Sequence, residues 1–164
     1  MSQVNFAGKP IEIAGTFPQV GDQLPELRLL KTDLSELNYE ELKGKKVVFN
    51  VFPSVDTGIC AMSLKTFSNK LKDRSDVVLV FISLDLPFAF KRFCGAEGIE
   101  NAITTSDFRY KDWAKNNSWM ASGPLTGLYA RGVLVTDENL KVVHSELVPE
   151  ITQEPDYEAA MKFI

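Results

Sequence analysis

The chain has 164 residues, of which 45% are hydrophobic and 24% charged, about the size and composition of one folded domain with a core of its own. A net charge of −4 excludes a strongly basic surface for gripping nucleic acid or an anionic membrane. Two cysteines and one histidine exclude a disulfide-rich mini-protein, and Cys and His alone cannot build a four-ligand zinc site.

The opening residues, MSQVNFAGKPIEIAG, show neither a basic n-region nor an apolar h-region, and no apolar run approaches the ~18 residues of a spanning helix. The expectation is a soluble cytoplasmic protein, where two cysteines point to chemistry more than to a permanent staple. No composition shift or repeat divides the chain, so residues 1–164 read as one domain. Residues 4–6 and 11–13 alternate around Gly8, Lys9 and Pro10 and predict a hairpin; residues 27–30 predict another short strand. Residues 46–52 (KVVFNVF) and 77–83 (VVLVFIS) are nearly continuous apolar runs, the pattern of strands buried on both faces. Between them Cys60, Leu64, Phe67 and Leu71 fall on one face of an amphipathic helix. A second helix is predicted over residues 88–94, ending near Gly95. Residues 132–136 and 141–147 flank Asp137, Glu138 and Asn139 as a second hairpin. A last helix runs from Pro155 to the C-terminus, with Asp156 and Glu158 at its positive end. This order predicts an α/β sandwich, and among common architectures the thioredoxin-like one fits best.

Cys60 has the most informative surroundings. A buried strand ends at Pro53, a turn of small and polar residues follows, and a helix begins. With Thr57 as N-cap, Cys60 takes the third helical position, where free N–H groups and the helix dipole favour a thiolate, the nucleophilic form. Asp56 opposes this unless its carboxylate points away, which is the expectation. Cys60 also lies on the apolar stripe, so the residues alone leave an activated nucleophile and an inert core thiol both open. Cys94 lies far outside C-x-x-C spacing from Cys60, and its default reading is a second buried thiol. His144 alternates with apolar residues and reads as a bystander. Acidic residues lack metal-ligand spacing, and neither glycine-rich nucleotide motif is present. Arg131 opens a buried strand, so it either snorkels to solvent or turns inward to hold an anion.

Pro53-Ser54-Val55-Asp56-Thr57-Gly58-Ile59-Cys60 resembles the Pro-x-x-x-Thr-x-x-Cys motif of the peroxiredoxins, in detail their bacterial thiol peroxidase branch. Asp85-Leu86-Pro87-Phe88-Ala89, Arg92-Phe93-Cys94-Gly95-Ala96-Glu97-Gly98, Ala130-Arg131 and Glu154-Pro155-Asp156-Tyr157-Glu158-Ala159-Ala160 resemble the same branch. The resemblance thins over residues 113–119, which bears on pocket or interface details and not on the catalytic positions. It implies a thioredoxin-like fold with an N-terminal hairpin, Cys60 as the peroxidatic and Cys94 as the resolving cysteine. It also implies that Thr57 hydrogen-bonds thiolate and peroxide, that Pro53 shields the sulfur from water, and that Arg131 is the active-site arginine. The family is usually homodimeric, favours alkyl and lipid hydroperoxides, and is reduced by thioredoxin. No metal or organic cofactor is implied.

Those roles suit the chemistry. Attack on an O–O bond moves charge from sulfur to a departing alkoxide, which donors from Thr57 and Arg131 can follow. The sulfenic acid formed condenses with a nearby thiol before over-oxidation. If Cys94 ends one helix and Cys60 begins another, the two are expected to lie beyond bridging distance, which predicts local unwinding of both segments on oxidation. The same pair would serve a non-enzymatic peroxide sensor or relay, which oxidises once where a peroxidase turns over. A small interaction domain with two inert core cysteines is the third reading.

Overall fold

The two long apolar runs lie side by side at the centre of a sheet, as strands without a polar face must. In the computed structural model, which describes residues 2–164, β1 (Ser2–Phe6) and β2 (Lys9–Gly15) come first, followed by a 3-10 turn at Tyr39–Glu41. Then come β3 (Lys46–Val51), α1 (Gly58–Leu71), β4 (Val77–Ser83), α2 (Pro87–Glu97), β5 (Ala102–Ser106), α3 (Asp112–Asn116) and β6 (Ser118–Met120). The chain closes with β7 (Gly132–Thr136), β8 (Val142–Leu147) and α4 (Tyr157–Met161). The five-stranded sheet has the order β5-β4-β3-β7-β8, with β3, β4 and β5 parallel, β7 antiparallel to β3 and β8 antiparallel to β7. A smaller antiparallel sheet orders β1-β2-β6.

Alternation along the central strands divides the core. Val47, Phe49 and Val51 of β3 face one layer, with Phe17, Leu24, Leu27, Leu29, Trp113 and Tyr129 packed over them. Val48 of β3 and Leu79 and Phe81 of β4 face the other, against Cys60, Leu64, Phe67 and Leu71 of α1, Phe90 of α2 and Ala160 of α4. The apolar stripe predicted for α1 is thus its buried face. The result is the thioredoxin-like α/β sandwich with an N-terminal hairpin that the sequence predicts. No helix among the described residues is long and apolar enough to cross a membrane.

Several local expectations are corrected. Residues 27–30 form no strand; Leu30 alone bridges Ser106 and Glu36, while Leu27, Leu29 and Leu30 are spent on the core. The first hairpin turns at Ala7 and Gly8, both at positive φ (50° and 80°), one step before the expected centre. Gly95 lies inside α2, which runs to Glu97 and stops at Gly98 in the left-handed region (φ 68°). The last helix starts at Tyr157 with the Asp156 side chain as its cap, accepting from Ala159 N. β5, α3 and β6 have no counterpart among the elements predicted from the sequence. Within the stretch where the resemblance thins, Trp113 is core and packs edge-on against Phe17 at 5.8 Å, while Trp119 on β6 is partly exposed.

Candidate active site

β3 delivers the chain to Pro53, and the loop 53–57 is then gripped from the end of β4. The Asp85 carboxylate accepts from Ser54 Oγ at 2.8 Å, from Val55 N at 2.9 Å and from Ser83 Oγ. Ser54 Oγ in turn accepts from Asp56 N at 3.1 Å. With the loop fixed, Thr57 is the N-cap of α1 and Cys60 its third residue, as the sequence predicts. The sulfur is fully buried. Asp56 points away from it, pairing with Arg92 of α2 at 2.8 Å, with both side chains exposed.

Arg131 turns inward. Its side chain is 1% exposed, and Nη1 lies 3.3 Å from Cys60 Sγ. Its Nε and Nη2 both donate to the Ile151 carbonyl oxygen, at 3.1 and 2.9 Å. That two-point grip fixes the guanidinium plane and leaves Nη1 aimed at the sulfur. Among the described residues no carboxylate lies within ion-pair distance of Arg131. A buried cation without an acidic partner is costly, and the sulfur beside it is the atom placed to carry the compensating charge. The α1 N-terminus adds positive potential on the same atom.

A cavity of about 140 Å³ opens at this point, lined by Phe6, Pro53, Thr57, Leu125, Arg131 and Ile151 among others, and most of its wall is apolar. It has room for the reactive end of a small organic peroxide. Pro53 is buried in its wall, where it presents no N–H. The Thr57 hydroxyl donates to the Ser54 carbonyl at 3.0 Å, so in this conformation its oxygen is left as an acceptor beside the cavity, suited to the O–H of a hydroperoxide.

The structure therefore brings Pro53, Thr57, Cys60 and Arg131 together. Cys94 stands apart, half-buried in the second half of α2, at the margin of the same apolar layer as Cys60. Both thiols are free. Burial pushes the Cys94 thiol up, with a hydrogen bond from Thr104 pulling the other way. His144 sits on β8, stacked on Phe163 with ring centroids 5.2 Å apart, and desolvation pulls its imidazole down. Sequence reasoning missed Phe6, Leu125, Ile151 and Asp85 as parts of the site. Phe6 comes from the end of β1 and Leu125 and Ile151 from distant loops, and none carries a motif; Asp85 opens the Asp-Leu-Pro stretch that resembles the thiol peroxidases, which is a signal in its own right.

Comparison with known proteins agrees. The Redoxin family model matches residues 19–161. A thiol peroxidase of Corynebacterium glutamicum is 45% identical over 161 residues, covering 98% of each chain. One of Vibrio cholerae is 47% identical over 156 residues, covering 94% of this chain and 95% of that one. The crystal structure of a peroxiredoxin-like protein from Aquifex aeolicus superposes with a TM-score of 0.92 at 36% identity, covering 99% of this chain and 95% of the other. By these matches the chain belongs to the redoxin family, in its bacterial thiol peroxidase branch.

Proposed function

We propose that the thiol-dependent peroxide reduction of this family runs here through Cys60 as attacking sulfur and Cys94 as resolving thiol, on hydrogen peroxide and on alkyl or lipid hydroperoxides. The observation that carries this reading is the buried Arg131 guanidinium, unpartnered by any carboxylate among the described residues and aimed at Cys60 Sγ from 3.3 Å. The Cys60 thiolate attacks the terminal oxygen of the hydroperoxide, the S–O bond forms as the O–O bond breaks, and the departing alkoxide takes a proton to become an alcohol or water. Arg131 can follow the charge from sulfur to that oxygen, and Thr57 Oγ1 holds the hydroperoxide O–H. The Cys94 thiol then displaces water from the Cys60 sulfenic acid, giving an intramolecular disulfide. A dithiol reductant, thioredoxin in this proposal, exchanges with the disulfide and restores both thiols. A homodimer belongs to the same proposal.

One equivalent of hydroperoxide should remove both thiols with loss of the two thiol hydrogens and no intermolecular link. Thiols that survive this treatment would reject the reading. Cys94→Ser should still consume one equivalent, stall at the sulfenic acid, and fail to cycle with thioredoxin; normal cycling would remove Cys94 from the resolving role.

A further inference from the structure

We infer that Glu150 is a positioning residue for this reaction, its carboxylate fixing the peptide group whose carbonyl aims Arg131 at Cys60. The inference rests on the peroxidase reading above and extends the site to the turn of the N-terminal hairpin at Ala7 and Gly8, more than 120 residues away from Arg131 in sequence.

Arg131 is aimed by one acceptor, the Ile151 carbonyl oxygen, so whatever orients that carbonyl orients the guanidinium. Ile151 lies in the turn between β8 and α4, just past an isolated bridge of Glu150 to Asn5, and its own carbonyl takes part in no sheet pairing. The Ile151 carbonyl and the Thr152 N–H belong to one planar peptide group and point in opposite directions. Thr152 N donates to Glu150 Oε2 at 2.9 Å. The plane is therefore held at both ends, by a carboxylate on its N–H and by Arg131 on its C=O. A carboxylate on the N–H also polarises the peptide, strengthening its oxygen as an acceptor.

Glu150 itself is braced against the hairpin. Oε1 accepts from Gly8 N at 2.8 Å, and Oε2 also accepts from Ala7 N at 3.2 Å and Thr152 Oγ1 at 2.9 Å. Ala7 and Gly8 are the two positive-φ residues of the turn, a conformation strained for Ala7, and it turns both N–H groups toward one anion. Main-chain bonds from Asn5 N to Pro149 O (2.7 Å) and from Ile151 N to Asn5 O (2.8 Å) seal the same junction. Hydrogen bonds from the Thr152 and Gly8 backbone hold the Glu150 carboxyl down at about 2, so it is an anion across the working pH range. Phe6, which precedes the turn, lines the cavity, so the same clamp sets one of its walls.

The test is a double-mutant cycle on the rate of Cys60 oxidation by a hydroperoxide under single-turnover conditions. Glu150→Gln keeps the shape and removes the charge, and it should slow oxidation roughly tenfold, less than the ~100-fold expected for removing a donor outright. In the Arg131→Lys background, where the two-point grip on Ile151 O is already gone, the same substitution should change the rate less than about twofold. Equal factors in both backgrounds would overturn the inference, since Glu150 would then act on the fold and not through Arg131. If Glu150→Gln does not fold, Glu150→Asp, which keeps the charge on a shorter arm, takes its place in the cycle: a smaller factor in the Arg131→Lys background supports the inference, and equal factors overturn it. Wild-type protein whose Cys60 does not react with hydroperoxide would sink the peroxidase reading itself; additive effects in a reactive wild type sink only the role of Glu150.

Discussion

Arg131→Lys keeps a positive charge and loses the fork, which makes it the sharpest probe of the site. In the native arrangement one guanidinium reaches both the Ile151 carbonyl, through two N–H groups, and Cys60 Sγ at 3.3 Å. At an effective dielectric constant of about 20, a unit charge at that distance from a sulfur anion is worth about 5 kcal/mol. A single ammonium, which cannot span both partners, retains about 3 kcal/mol at about 5 Å from the sulfur. The difference of about 2 kcal/mol corresponds to a rate loss of roughly thirtyfold. It reaches the rate to the extent that the departing oxygen gains more from this charge in the transition state than the resting sulfur does, so thirtyfold is the upper bound. Stopped-flow tryptophan fluorescence during hydroperoxide addition reads the second-order rate constant directly, with thiol content and thermal midpoint checked on the same preparation. A variant that folds normally and reacts within twofold of wild type would refute the assignment of Arg131 and the buried-charge argument with it.

Asp85→Asn should loosen the motif loop, because its carboxylate accepts from Ser54 Oγ, Val55 N and Ser83 Oγ; a loss of about 2 kcal/mol, or roughly 4–8 °C in thermal midpoint, is expected by calorimetry, and an unchanged midpoint would deny it that task. Phe6→Ser should weaken a bulky alkyl hydroperoxide by about 1 kcal/mol, a roughly fivefold rise in KM, and leave hydrogen peroxide kinetics alone; equal changes on both substrates would remove Phe6 from the substrate wall. Glu150 titrates at about 2 when folded against an ordinary 4.5, so its contribution to stability is complete above 4.5 and is lost as the pH falls toward 2. The gap in melting temperature between wild type and Glu150→Gln should therefore narrow across that window, as read by circular dichroism; a gap that stays constant would contradict the assignment.

What could be read in advance followed how strongly a segment specifies itself. β3, β4 and β7 are continuous apolar runs and α1 has a full helical stripe, so their positions were predictable to a residue or so. β5, with the sequence AITTS, and the three-residue β6 are strands because of their neighbours: β5 pairs with β4, and β6 with β2. Leu27, Leu29 and Leu30 look like a strand because they are apolar, yet burial alone satisfies them. Gly95 sits inside α2 at a modest cost in propensity, and the actual stop is Gly98, whose positive φ suits it. In the site, Pro53, Thr57 and Cys60 are legible because one turn carries them. Arg131 by residue type offered only a choice between solvent and anion, its role coming from the resemblance at Ala130-Arg131, and Ile151 and Glu150 offered nothing, since a backbone carbonyl that aims a side chain leaves no trace in residue type.

The two cysteines also differ in how firmly they are held, and this bears on how the proposed disulfide would form. Cys60 is fully buried, but the first turn of α1 around it has no side-chain cap bond and no acidic residue. Helix α2 is anchored at its start: Pro87 and Phe90 are its buried residues, and Phe90 packs edge-on against Phe52 with centroids 6.1 Å apart. Beyond Phe90 no side chain of α2 is fully buried, and this is the half that carries Cys94. It is tied to the α1 region by two ion pairs, Arg92–Asp56 at 2.8 Å and Lys65–Glu97 at 3.0 Å. Exposed pairs of this kind contribute at most about 1 kcal/mol each. Unwinding α2 from Lys91 onward therefore gives up helical hydrogen bonds, weak surface pairs and the partial packing of Phe93 and Cys94 on the core, while the Phe90 anchor stays in place. The core need not open for Cys94 to travel, and low local stability lies in the segment that a disulfide between two helices requires to move.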